Sequence, residues 1–405
     1  MDSTTSFLVA LVKIAVLVGF LMTAAAYLVL LERWIAAWVQ DRKGPNRVGL
    51  PLTGLRLFGL GQPLADGLKF VFKEEFVPKH VDWWLYTLAP VVLLGAALAA
   101  FAVIPFGDAL PELGITAVDS VDSYLQLIVA PQVDVGMLYV FALSSMAVYG
   151  VILGGWSSNN KYGYLGALRS SAQMIAYELP LGLGILGVVL MTGSLQIDEI
   201  VAHQATTGYW NVFAQPLAFV VFVVAAFAEA ARLPFDLPEC EQELIGGYHT
   251  EYSGMRLILF LIGEFMHMIT ASVLITLLFL GGWHFWGLTS GPVENWFDAI
   301  VRIVILLGKS FAVVVFFMLV RWSWPRFRFD QLMSLAWKVM LPLGMVNLAV
   351  VAVLREPMFA NYLGGGSMFV FMLINVAVAA VAWIVTALLQ PLAADNRPRR
   401  AENLA

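Results

Sequence analysis

Nine stretches of this chain are each long and apolar enough to cross a lipid bilayer, and no other feature limits its fold so tightly. Spanning the hydrocarbon core takes ~20 largely apolar residues. The stretches lie at 7–31, 84–106, 134–155, 170–192, 212–231, 256–282, 299–320, 337–354 and 367–390. Lipid offers the backbone no hydrogen-bond partner, so segments of this length must satisfy their own amides as helices. The expected fold class is therefore an all-α polytopic membrane protein forming a single membrane domain over residues 1–405. With 60% hydrophobic residues, 13% charged residues and a mean hydropathy of +0.82, the composition excludes a soluble domain. The first stretch is too long for a signal-peptide core and lacks a basic leader. A single cysteine, Cys240, and five scattered histidines exclude a disulfide framework and leave no cluster for an iron–sulfur or Cys-rich zinc centre.

Orientation follows from the basic residues. The segments 32–83, 156–169, 232–256, 321–338 and 391–405 hold 19 of the 23 Lys and Arg residues, while 107–133, 193–211 and 283–298 hold none. By the positive-inside rule the first set is cytoplasmic. The N-terminus is then outside and, with nine spans, the C-terminus inside, where the polar tail 391–405 is expected to be flexible. The chain carries neither the internal repeat of a two-halved transporter nor a glycine-rich phosphate loop.

Two cytoplasmic segments are more than connectors. Between 60 and 76, Leu64, Leu68, Val71 and Phe72 recur with helical spacing, with Asp66, Lys69 and Lys73 on another face. This pattern predicts an amphipathic helix flat on the membrane surface, serving either as a plain anchor or as the roof of an opening for a lipid-soluble ligand. The second segment, 229–252, reads EAARLPFDLPECEQELIGGYHTEY and holds six carboxylates beside one arginine, Arg232. Glu239 and Glu243 fit one helical face, whereas an extended backbone aligns Glu241 with both. Its Leu-Pro-Phe-Asp-Leu-Pro run argues for irregular backbone, tolerated at membrane depth only under protein cover or beside a wet cavity.

Several spans carry ionisable residues: Glu178, Glu229, Glu264 with His267 one turn on, Lys309 and Lys13. Any one of them can be structural if paired within the bundle. Lys13 reads better as a snorkelling residue, and His267 as a core histidine than as a relay. The three acids are harder to dismiss, because each lies on the cytoplasmic half beside the acid-rich loop. Carboxylates coupled in this way suit a proton wire.

Taken in order, Glu32-Arg33, QDRKGPNRVG (40–49), QPLADGLKFVFKE (62–74), RSSAQMIAYE (169–178), the 229–253 segment, LIGEFMHMI (261–269) and RWSWPRFRFDQLMSLAWKVMLP (321–342) resemble one family. It is that of the H subunit, subunit 1 in mitochondria, of the proton-pumping NADH–quinone oxidoreductase, respiratory complex I. The resemblance implies an eight-helix core, here with a ninth C-terminal transmembrane helix. It further implies that the chain forms the wall and opening of a quinone chamber in a bacterial inner membrane. Carried over by motif, Glu178, Glu229, Glu264, Glu239, Glu241, Glu243 and Glu251 belong to a proton path. Arg42, Asp66, Lys73, Glu74, Arg232, Phe235 and Asp236 lie at the chamber and its opening.

By the same resemblance this chain binds no cofactor of its own. Quinone is the substrate, and FMN and iron–sulfur clusters reside in partner subunits. Its partners are peripheral quinone-site subunits, small membrane subunits, antiporter-like subunits and membrane lipids, with no nucleic acid. Glu-Cys-Glu-Gln-Glu stands where the family commonly has Glu-Gly-Glu-Ser-Glu. Ubiquinone and menaquinone both suit an apolar chamber. The alternatives are the homologous subunit of a membrane-bound hydrogenase-type complex and, more distantly, a free-standing proton or cation transporter.

Overall fold

The computed structural model describes residues 3–49, 58–107, 109–111, 124–130, 133–236, 245–286, 288–289, 293, 295–356 and 368–389. The expected Glu239, Glu241 and Glu243, with Cys240 and the tail 391–405, lie outside these. Among the described residues the fold is helical apart from one short antiparallel pair, β1 (Ala109–Pro111) with β2 (Tyr124–Gln126).

The helices, in chain order, are α1 (Ser3–Val39), α2 (Gln62–Phe72), α3 (Trp83–Ala100), α4 (Gly136–Ser157), α5 (Lys161–Thr192), α6 (Ile197–Thr207), α7 (Asn211–Ala214), α8 (Pro216–Glu229), α9 (Gly254–Phe279), α10 (Trp296–Ser323), α11 (Phe329–Leu335), α12 (Leu341–Arg355) and α13 (Met368–Leu389). Among the described residues eight helical segments are long and apolar enough to span a membrane: α1, α3, α4, α5, α9, α10, the α11–α12 run and α13. A π-helical stretch, Ala336–Met340, joins α11 to α12.

The expected fifth span, 212–231, departs from a continuous crossing. It breaks at Gln215-Pro216 into α7 and a 14-residue α8. Proline has no amide to continue the ladder from α7, so a new helix starts with it in the first turn. The Gln215 side chain ties the break to α5 and α12: Gln215 Nε2 donates to Gly187 O at 2.9 Å, and Asn347 Nδ2 donates to Gln215 Oε1 at 3.4 Å. At 1.5 Å per residue α8 covers only about 21 Å, short of the bilayer core.

α1 departs in the other direction. It continues to Val39 rather than ending at 31, which makes it ~55 Å long, and its last turns carry Glu32 and Arg33 beyond the apolar core. α5 likewise starts nine residues before the expected 170, where Asn160 caps it by accepting from Tyr162 N at 3.0 Å.

α3, α4, α5, α8 and α9 form the packed centre. Small residues allow backbones to approach closely without lipid-driven burial. At Gly150 of α4 a Cβ would lie 2.8 Å from Leu93 N of α3, so no larger residue fits that crossing. A satellite core around Tyr86, Leu93, Val151, Tyr252 and Phe260 ties α3 and α4 to the start of α9.

Candidate functional site

A cavity of about 1330 Å³ opens between α1, the loop at 42–48, α2, α9 and α10. The loop is folded back by two contacts with α1: Trp34 Nε1 donates to Pro45 O at 3.0 Å, and Gly44 sits where a Cβ would lie 2.6 Å from the Trp34 ring. Arg42, Lys43 and Arg47 thereby become cavity walls. From α2, the residues at i, i+3, i+4 and i+7 (Pro63, Asp66, Gly67 and Phe70) line the cavity, as one helical face must. Leu64, Leu68 and Val71 point away and are exposed, consistent with a helix whose other face rests in lipid.

Asp66 is held by Arg33 Nη1 at 2.7 Å and by Gln62 Nε2 at 3.0 Å. It therefore separates from Lys73, with which the sequence pattern grouped it. Lys73 and Glu74 follow the end of α2 and are exposed, outside the cavity walls.

The inner end of the cavity is a set of ion pairs. Arg232 is only 6% exposed; its guanidinium lies 4.3 Å above the Phe265 ring and 3.7 Å from Glu32 Oε2. Glu32 also accepts from Arg321 Nη1, so one carboxylate answers two guanidinium groups. Burying such charges costs several kcal/mol per ion unless they are paired and hydrogen-bonded. Pairing is what these residues share.

Glu264, buried on α9, accepts from the Tyr248 hydroxyl at 2.8 Å. Asp236 lies 3.3 Å from Arg326 Nη2. Phe235 packs between the Tyr177 and Phe327 rings, with centroids at 5.6 and 5.5 Å. Gln173 Nε2 fixes the turn bearing Arg232 by donating to Ala228 O at 2.9 Å and to Phe235 O at 2.7 Å.

Deeper in the bundle, two carboxylates flank α4. Ser144 donates to Glu229 of α8, and the next residue, Ser145, donates to Glu178 of α5. Adjacent helical positions point in directions about 100° apart, so one pair of serines serves two different neighbours. Glu229 also borders a small void shared with His267.

Glu251 stands apart from this line. Its carboxylate accepts from Asn160 Nδ2 at 2.6 Å, and its carbonyl accepts from the Tyr86 hydroxyl at 2.7 Å. Beside it Tyr86 and Tyr252 stack at 4.0 Å. Burial holds the Tyr252 phenol protonated well above its usual range. This corner clamps the start of α9, helped by Glu75 Oε1, which accepts from Met255 N at 2.9 Å.

Arg42, Asp66, Arg232 and Glu264 thus share one cavity, Phe235 and Asp236 buttress its inner end, and Glu178 and Glu229 lie along α4. Sequence reasoning missed Glu32 as the partner of Arg232 and Arg321 as the second partner of Glu32, although both stand in motifs of the family. It also missed Ser144, Ser145 and Tyr248. The paired serines within an otherwise apolar span were the available signal. Among the described residues no group of three or more His, Cys, Asp or Glu side chains is placed to hold a metal ion.

Fold and site together define a class: a multi-pass helical membrane protein with a large charged cavity on one side and buried carboxylates behind it. A family described as NADH dehydrogenase matches residues 12–352. The H 1 subunit of NADH-quinone oxidoreductase from Geobacter metallireducens is 48% identical over 340 residues, covering 84% of this chain and 94% of that protein. The H subunit of NADH-quinone oxidoreductase from Leptospira biflexa is 46% identical over 340 residues, 82% of this chain and 91% of that protein. The H 2 subunit from Koribacter versatilis is 42% identical over 353 residues, 85% and 96% of the two chains. The chain belongs to the NADH dehydrogenase family, alongside these H subunits. α13 lies beyond the matched residues.

Proposed function

We propose that this chain is the membrane subunit of a bacterial NADH–quinone oxidoreductase that admits quinone from the bilayer and begins the proton path driven by its reduction. The observation that supports this most is the cavity. It exceeds the ~300–1,000 Å³ usual for small-molecule sites, leaving room for a ring and part of a long tail. Its mouth lies beside a surface helix, and its inner end is ion-paired and runs to Glu264.

On this reading α2 frames the opening, with Arg42 and Asp66 at the mouth and Lys73 and Glu74 on the outer surface. Arg232, Phe235 and Asp236 shape the inner wall. Quinone reduction takes up two protons, which changes the charge felt by Glu239, Glu241 and Glu243. Coupled carboxylates titrate as a set, so the change passes to Glu264, Glu229 and Glu178 without any of them touching quinone. Glu251 holds the start of α9 through Asn160.

The redox groups, FMN and iron–sulfur clusters, belong to peripheral partner subunits. Small membrane subunits and antiporter-like subunits continue the proton path. The chain sits in the inner membrane with its N-terminus outside, a reading the distribution of Lys and Arg supports.

Asp66→Asn tests the opening. It should slow turnover with long-tailed quinones by about tenfold, a loss of ~1.4 kcal/mol of transition-state stabilisation, and spare short-chain analogues. Rates are normalised to NADH–ferricyanide reduction in the same particle. Equal loss with both quinones would overturn the role given to α2.

A further inference from the structure

Glu229 and His267 come from different helices, α8 and α9, yet both border one void of about 30 Å³. A void needs ~10–15 Å³ to take a water molecule, and a water there needs two or more polar partners. The walls come from α3 (Ala96, Ala97, Ala100), α4 (Val140, Phe141, Ser144), α5 (Leu181), α8 and Ala230, and α9. Glu229 and His267 are the titratable groups among them, with the Ser144 and Thr270 hydroxyls as further polar atoms.

His267 is 8% exposed, and its Nε2 is buried without a hydrogen-bond partner among the described residues. A buried ring nitrogen left unmatched costs roughly 1–3 kcal/mol. A water bridging to Glu229 would recover most of that. His267 also stands three residues after Glu264, one turn along α9, so it lies on the side of the helix that connects the two acids.

We propose that His267 is a proton-relaying residue, passing a proton through water in this void between the Glu264 end of α9 and Glu229. The inference rests on the proton path proposed above and adds a station to it. The step is a proton transfer alone. One imidazole nitrogen accepts a proton from the Glu264 side, and the other releases its own through water to the Glu229 carboxylate. The ring then returns to its starting tautomer, with no change of oxidation state. Ser144, which donates to Glu229, holds the carboxylate facing the void.

The test uses the intact complex carrying His267→Gln, His267→Asn, Glu229→Gln or the double variant Glu229→Gln/His267→Gln. Quinone-linked turnover and protons moved are each divided by the NADH–ferricyanide rate of the same particle. His267→Gln should slow normalised turnover by about 100-fold or more, within the range a positioned proton carrier supplies. His267→Asn should behave alike. On the Glu229→Gln background His267→Gln should add no further loss, since two residues of one route are not additive.

A merely structural histidine would instead cost the same factor in both backgrounds, which overturns the inference. Wild-type turnover in both His267 variants overturns it as well, even where Glu229→Gln is slow; the carboxylate path then stands without His267. If Glu229→Gln itself runs at the wild-type rate, the path fails and the relay with it. Should His267→Gln not assemble, His267→Asn decides by the same criteria.

Discussion

Two regions of this molecule bury charge in opposite ways. At the far end of α9, Lys309 Nζ donates to three backbone carbonyls: Leu280 O at 2.6 Å, Gly282 O at 3.0 Å and His284 O at 2.7 Å. It also lies 4.3 Å over the Trp210 ring. Around it, Gln204 Oε1 accepts from Asn211 N and Gly281 N, and Asn211 Nδ2 donates to Leu278 O. A cation at a helix C-terminus is also favoured by the macrodipole.

At the cavity end the charges instead meet side chains: Glu32 with Arg232 and Arg321, Asp66 with Arg33, and Glu264 with Tyr248. Backbone carbonyls neither move far nor exchange protons. Carboxylates, phenols and guanidinium groups can rearrange, and some of them titrate. Burial of a charge therefore does not by itself mark function. The kind of partner is what separates the two regions.

The sharpest way to break this contrast is Glu32→Gln. It leaves Arg232 and Arg321 facing each other without their shared carboxylate, the situation that costs ~3–5 kcal/mol when a buried pair is broken. Quinone-linked turnover should fall by two orders of magnitude or more, and calorimetry of the purified complex should show a lower transition temperature. Wild-type turnover would mean that the ion pairs at the inner end do not matter to the reaction.

Lys309→Met comes next. Three carbonyls would lose their donor, at ~1–3 kcal/mol for each buried group left unsatisfied. The transition temperature should drop, yet the protons moved per NADH in particles that assemble should match wild type. A changed ratio at normal stability would erase the distinction between the two regions.

The smallest effect expected is a pH dependence at His284. Burial first, then the neighbouring Lys309 and Arg302 charges, lowers its pKa below the ordinary 6.5. The unfolded chain thus binds this proton more readily than the folded one. Stability from this group is complete above pH ~6.5 and declines as pH falls toward the folded-state value. Hydrogen-exchange protection factors at residues 281–289, corrected for the intrinsic exchange rate at each pH, should fall on acidification below about pH 6.5, and His284→Gln should flatten that slope.

Much of this was legible in the chain. Apolar length alone located the long helices, since lipid leaves the backbone one solution. The motifs singled out Asp66, Arg232 and Glu264, which line one cavity, and Glu229, which borders the small void, because charged residues stand out in an apolar background. Hydropathy did not reveal the break at Pro216, since Val212 to Ala228 is apolar on both sides of it. It also ended α1 too early, because Glu32 and Arg33 look like a boundary until their partners Asp66, Arg232 and Arg321 are known. Those partners are 33 to 289 residues away in sequence, a separation that no local pattern encodes. The face that α2 turns to the cavity was hidden for a similar reason. Periodicity defines a stripe of leucines but not whether lipid or protein lies against it.

The central claim is that carboxylates of this chain carry protons set in motion by quinone reduction. It is tested most directly by the ratio of protons moved to NADH oxidised in reconstituted complex bearing Glu264→Gln or Glu229→Gln. Each variant keeps side-chain shape and removes the exchangeable charge. Turnover with quinone and proton movement should fall together, by about 100-fold or more for Glu229→Gln, while the particles retain their flavin and clusters. Both variants turning over at the wild-type rate with the wild-type ratio would contradict the account.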